Sequence, residues 1–117
     1  MFGRATYLTP IASKADIYTE DFAQRLSRRA HRQMIIARAA LGKPYRATQA
    51  TNFQRPPNDP DDPEEKPLDS VIAIGGRSGV DHTETMLYEK NQALILAIVT
   101  YSHEAACACA ECNKRPA

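Results

Sequence analysis

Leu68-Asp69-Ser70-Val71 opens the stretch whose reading decides the fold. It continues through a glycine-rich bend, Gly75-Gly76-Arg77-Ser78-Gly79, into Thr83-Glu84-Thr85-Met86-Leu87-Tyr88. After the polar break Glu89-Lys90-Asn91-Gln92 comes the apolar run Ala-Leu-Ile-Leu-Ala-Ile-Val at residues 93–99. The apolar blocks have strand lengths, and Asn91 accepts turn conformations that apolar residues avoid. These residues predict two strands joined by a tight polar turn. Glu84 stands apart as an acid at the head of a strand otherwise suited to burial. Its carboxylate either points to solvent at the strand start or is held at the rim of a pocket, and residue type alone favours solvent. The glycine bend has no helix after it, so it reads as a flexible connection rather than a phosphate cradle.

Working outward, Met1-Phe2-Gly3-Arg4-Ala5-Thr6-Tyr7-Leu8 reads as a turn entering a short strand that Pro10 stops. An opening strand needs a neighbour, so a start this close to the strand suggests a missing N-terminal part. Ser13-Lys14-Ala15-Asp16 is a capping-box pattern with Ser13 at the N-cap. Tyr18, Phe22, Leu26 and Ala30 then recur at i+4 spacing, which predicts a helix over 13–30 with a break near Glu20. Arg25, Arg28, Arg29 and Arg32 lie off that stripe; a solvated face is expected there rather than a phosphate-binding patch. Met-Ile-Ile-Ala-Arg-Ala-Ala-Leu at residues 34–41 reads as a buried strand ended by Gly42 and Pro44. Residues 45–52 read as extended. Residues 54–67 hold five prolines and five acids, which predicts an exposed loop without a packed element.

The 117 residues carry a net charge of +1, so no whole-chain field points to nucleic acid or to a membrane surface. No apolar run is long enough to span a bilayer, and the expected setting is intracellular, nuclear or cytoplasmic. The three cysteines, Cys107, Cys109 and Cys112, follow His103 at the C-terminal end, where they cannot staple the core. Thiolates and one imidazole can close a tetrahedron around zinc. Cys-x-Cys, however, sets its sulfurs awkwardly for one ion, so residues 103–117 read as a reduced, disordered tail and no metal ligands are assigned. Composition and periodicity thus define a small α+β domain over 1–102 followed by that tail.

Particular residues say more. Phe2-Gly3-Arg4-Ala5-Thr6-Tyr7 and Ser13-Lys14-Ala15-Asp16-Ile17-Tyr18 resemble two segments of poly(ADP-ribose) polymerase (PARP) catalytic domains. These are the phenylalanine-glycine-basic-glycine-x-tyrosine strand and the serine-lysine-x-x-x-tyrosine helix. Residues 34–45 are similar to the family's next strand, which ends in leucine-glycine and a tyrosine. Leu68-Asp69-Ser70-Val71 resembles its tyrosine-aspartate-serine-valine segment. Residues 84–94, from Glu84 through Tyr88 to Gln92, Ala93 and Leu94, resemble its catalytic glutamate strand and the asparagine-glutamine turn after it. The motifs occur in family order, which makes the set more specific than any one of them.

The resemblance implies the C-terminal half of an ADP-ribosyltransferase domain. Its fold is a split antiparallel sheet, here lacking the N-terminal strands, with NAD+ held as substrate in a cleft. Tyr7 corresponds to the tyrosine of the family's His-Tyr-Glu triad, packed on nicotinamide. Tyr18 corresponds to the aromatic on the other face of that ring, with Ser13 and Lys14 close by. Glu84 corresponds to the triad glutamate, so the resemblance reverses the solvent reading of that residue. The implied reaction transfers ADP-ribose from NAD+ to protein acceptors with release of nicotinamide. Departures are plain: Ala5 replaces a glycine, Ala15 stands where many members have serine, and none of His31, His82 or His103 sits in the family's histidine-glycine context. A catalytically inactive binding module of the same fold, and an unrelated interaction domain with a zinc-binding tail, are the competing readings.

Overall fold

A computed structural model describes residues 1–19, 26–27 and 29–113, with Glu111 described by its backbone alone. In chain order it contains β1 (Thr6–Leu8), α1 (Ala12–Asp16), β2 (Arg32–Ala39), β3 (Pro44–Ala47), β4 (Ser70–Ala73), β5 (Glu84–Leu87), β6 (Ala93–Tyr101) and α2 (Ala110–Asn113). Single 3₁₀ turns occupy Ile17–Thr19 and Lys90–Gln92. The class is α+β. Two interleaved units carry these elements: residues 1–11 with 38–94, and residues 12–37 with 95–117.

The first unit is a four-stranded sheet in the order β1-β5-β4-β3. β5 pairs antiparallel with both β1 and β4, whereas β3 and β4 run parallel. A parallel pair needs a long crossover, and residues 48–69 supply it. The pleat explains the core. Tyr45 and Ala47 on β3, Val71 and Ala73 on β4, and Met86 on β5 occupy one face, matched through the pairs Tyr45↔Val71, Ala47↔Ala73 and Val71↔Met86. Phe2 and Val80 close over that face, with Ala5, Phe53 and Tyr88 at its edge. Phe53 meets Tyr45 edge to face, ring centroids 5.7 Å apart.

The proline- and acid-rich segment forms no named element but is tied down. Asn58 and Pro67 form an isolated antiparallel bridge, and Asp59 donates its backbone N–H to Lys66 O at 2.8 Å. Lys43 Nζ binds the Asp59 carboxylate at 2.7 Å, and Pro56 is buried. The glycine-rich bend is also better defined than the flexible connection expected. Gly76 N–H donates to Val80 O at 2.7 Å, and the fully buried Ser78 hydroxyl donates to Ile74 O at 2.9 Å.

β5 and β6 are both strands, as expected, but they do not pair with each other. β5 is central in the four-stranded sheet, while β6 pairs with β2. Gln92 explains the parting. Its side-chain oxygen accepts the Tyr88 and Glu89 backbone N–H groups at 3.2 and 3.0 Å. Its amide donates to Asp69 O at 2.7 Å and Ala40 O at 3.3 Å. The turn is thereby bonded to neighbouring segments rather than closing a hairpin.

In the second unit α1 starts at Ala12, one residue before the expected cap, so Ser13 is helical and exposed. The regular helix ends at Asp16, and Thr19 caps the following turn by donating its hydroxyl to Asp16 O at 2.8 Å. Residues 20–25 and 28, including Phe22, Arg25 and Arg28 of the expected helix, lie outside the described residues. Ala30 is in a bend, not a helix, and Arg32 is the first residue of β2 and almost fully buried. Its guanidinium donates to Ala30 O at 3.0 Å, Ser27 O at 3.0 Å and Leu26 O at 3.4 Å. That corrects the solvated reading of Arg32: five N–H donors in a fixed fork suit a nest of backbone carbonyls. The strand expected over 34–41 runs instead from Arg32 to Ala39, and Ile35 and Ile36 are exposed rather than buried. The apolar residues Leu94, Ile95, Leu96, Ile98 and Val99 of β6 are exposed as well.

Candidate functional site

Glu84 is the first residue of β5 and only 5% exposed. That overturns the solvent reading drawn from residue type. The cause is register: Glu84 pairs with Ala73 and shares a pleat face with Met86, the face that packs the core. Met86 in turn pairs with Tyr7 on β1, so Tyr7 and Glu84 belong to the same side of adjacent strands. Tyr7 is 41% exposed, and its hydroxyl is fixed at one end of the strand. It donates to Gly3 O at 2.8 Å and accepts the Phe2 backbone N–H at 3.1 Å. Tyr88 completes this corner by donating its hydroxyl to Phe2 O at 2.7 Å. Burial, and then the neighbouring Tyr7, push the Tyr88 phenol up to about 12.

Tyr18, Lys14 and Ser13 belong to the second unit. Tyr18 is 61% exposed, and Lys14 Nζ lies 5.6 Å from its ring centroid, within cation–π range. Ser13 is exposed on α1. Tyr7 and Glu84 are thus brought together within one sheet, and Lys14 and Tyr18 within one helix and its following turn.

The tail expected to be disordered holds α2, and Cys112 is fully buried. Residues 114–117 lie outside the described residues. A cluster that the sequence reading missed assembles around this tail. The buried Asp16 carboxylate accepts the Tyr101 hydroxyl and faces His103 Nε2 at 3.0 and 3.1 Å through its two oxygens. An ionised carboxylate only accepts, so Nε2 donates to it, and in the neutral imidazole Nδ1 then presents its lone pair on the opposite side. There Cys112 Sγ lies 3.3 Å away. Burial, followed by the hydrogen bond to Asp16, pushes the Tyr101 phenol up to about 12. Burial, followed by the Cys107 and Cys109 thiols, pushes the Cys112 thiol up to about 11. Asp16 was visible only as the acid of a capping box. The signals that pointed further were the histidine placed just before three cysteines and a tyrosine ending an apolar strand.

No protein-family model matches this chain, and no curated protein matches it.

Proposed function

We propose that this chain belongs to an NAD+ ADP-ribosyltransferase of PARP type, transferring ADP-ribose from NAD+ to protein acceptors with release of nicotinamide. The observation that carries the reading is the register of β1 and β5, in which a tyrosine and a buried glutamate from two of the resembling motifs lie on one side of neighbouring strands. Further support comes from the other motifs, whose residues bond to one another. Ser70 donates its hydroxyl to Leu41 O at 2.8 Å, Lys43 N–H donates to the Asp69 carboxylate at 2.7 Å, and Gln92 reaches Asp69 O. Residues far apart in sequence thus have a common structural reason to occur together. Ser13, Lys14 and Tyr18 enter the proposal through the resemblance alone.

Breaking the nicotinamide–ribose bond builds oxocarbenium-like positive charge on the sugar. A carboxylate fixed in a region of low dielectric stabilises that charge more in the transition state than in the ground state. Glu84 is suited to this role, because strand pairing on both sides of β5 holds its backbone. It would also bind a ribose hydroxyl and orient the acceptor. Tyr7 offers an aromatic face to the flat cationic ring, worth on the order of 1 kcal/mol for such a contact.

The full-length protein incubated with labelled NAD+ tests the proposal. Label transfer to protein that Glu84→Gln abolishes, with NAD+ binding retained, is the expected outcome; transfer unchanged by Glu84→Gln overturns the glutamate's role. The burial of Glu84 favours a second reading, a catalytically inactive module of the same fold, because little of the carboxylate is open to a ligand. Binding of NAD+ without transfer selects that reading. Absence of both binding and transfer rejects the first.

A further inference from the structure

We propose that His103, Cys107, Cys109 and Cys112 bind one zinc ion as a structural Cys₃His site, with Asp16 positioning the histidine. His103 Nδ1, Cys107 Sγ and Cys112 Sγ all lie within 4.8 Å of one another. Zinc–sulfur bonds of about 2.3 Å and zinc–nitrogen bonds of about 2.0 Å put the ligand atoms of a tetrahedral Cys₃His site roughly 3.5–3.8 Å apart. The Cys112 Sγ to His103 Nδ1 distance of 3.3 Å is close to the sulfur–nitrogen end of that range, and a small contraction brings in Cys107. Cys109 is outside the tight triad but starts the Cys-x-x-Cys that ends at Cys112. Its sulfur accepts the Cys112 backbone N–H at 3.3 Å, a bond that stabilises a thiolate. A side-chain rotation turns it onto the ion as fourth ligand.

Two independent features point the same way. The first is the carboxylate behind the histidine. Zinc-binding histidines commonly donate their other N–H to a carboxylate, which fixes ring and tautomer. Asp16, 5% exposed, receives His103 Nε2 on both oxygens and the Tyr101 hydroxyl as well, so Nδ1 faces Cys112 Sγ. The second is the poverty of the surrounding core. Among the described residues, every fully buried apolar side chain other than Cys112 lies in the first unit, while the second unit buries Asp16, Arg32 and Cys112. With so few buried apolar side chains among its described residues, this unit gains from another source of cohesion, which a structural metal supplies. On binding, the three thiols release their protons to solvent. Zinc(II), three thiolates and a neutral imidazole then carry a net charge of −1.

The test uses the whole chain purified under reducing conditions without chelator, with zinc and cobalt as probes. Elemental analysis should find about one zinc per chain, as a closed four-ligand site requires. Cobalt added to the chelator-stripped chain should give intense thiolate-to-metal charge-transfer absorption with tetrahedral d–d bands. Cys112→Ser and His103→Ala should abolish that spectrum. Asp16→Asn should keep the stoichiometry but weaken zinc by about 10–100-fold in competition with a chromophoric chelator, the usual cost of losing such a partner. Cys109→Ser should replace one thiolate contribution in the cobalt spectrum. Because the stripped wild-type chain reports directly, a variant that fails to fold does not rescue the proposal. Substoichiometric zinc with no cobalt charge transfer overturns it. So does a cysteine disulfide in place of bound metal, or zinc affinity unchanged in both Cys112→Ser and Asp16→Asn.

Discussion

Gly3 shows how much one residue of the opening motif carries. Its φ of +87° lies in the region that side chains avoid, and a Cβ built there would stand 1.6 Å from Phe53 O. Conformation and space therefore both demand glycine. Gly3→Ala should destabilise the fold by at least about 2 kcal/mol, because the left-handed conformation alone costs roughly 1–2 kcal/mol and the backbone clash adds to it. Urea denaturation measures this, and a change within about 0.5 kcal/mol would refute the steric account. The same position illustrates what was legible at this scale. Phe-Gly-Arg could be picked out as a motif, yet its meaning here is structural: Gly3 O accepts the Tyr7 hydroxyl and Phe2 O accepts that of Tyr88. Glu84 was misjudged from residue type because exposure statistics ignore register. Ala73 opposite and Met86 two residues on commit it to the apolar face.

Among the elements, strands proved easier to read than their partners. β1, β5 and β6 fall on segments whose composition predicts strands and β2 overlaps another, because β-branched and apolar blocks of that length suit an extended chain. Pairing depends instead on groups distant in sequence, and Gln92 is the clearest case. It was part of a polar break, and nothing local shows that its amide meets Ala40 and Asp69. Gln92→Ala should leave the Tyr88 and Glu89 backbone N–H groups without their acceptor. Hydrogen exchange at those two amides should accelerate, and stability should fall by roughly 1–3 kcal/mol, the range for leaving hydrogen-bonding groups unmet. Unchanged exchange at both positions would show that the turn holds without the side chain. Of the helix expected over 13–30 with a break near Glu20, residues 13–16 are helical and Ile17–Thr19 form a 3₁₀ turn, whereas residues 26–27 and 29–30 are not helical. An i+4 apolar stripe was read through Ala30, but Asp16 is drawn to Tyr101 and His103, and Arg32 to backbone carbonyls before β2. Polar partners thus fix the described residues on either side of that segment, distant ones for Asp16 and nearby carbonyls for Arg32.

At the scale of the whole molecule, each unit holds one tyrosine whose environment resists ionisation, Tyr88 in the first and Tyr101 in the second. In both the phenol is raised from 10.0 to about 12, with burial as the leading cause. The sign follows from linkage. A folded-state value above the unfolded one means that the native chain holds the proton more tightly. The associated stability is therefore complete below pH 10 and is lost as pH rises towards 12, where the unfolded chain has already gained by ionising. The chain should thus unfold more readily over that window, with tyrosinate absorbance and loss of circular dichroism rising together. Tyr88→Phe should make the first unit less sensitive to alkali, seen as protected amides on β4 and β5. Tyr101→Phe should do the same for β2 and β6, at the expense of the Asp16 hydrogen bond at lower pH. Two tyrosines that titrate at the ordinary value in the native chain would show that neither environment is as dry as the fold requires. Zinc adds a second criterion in the same experiment. If the Cys₃His site is filled, the second unit should keep its β2 and β6 protection to higher pH in the metal-loaded chain than in the stripped one, because zinc holds the tail that packs behind His103 and Asp16.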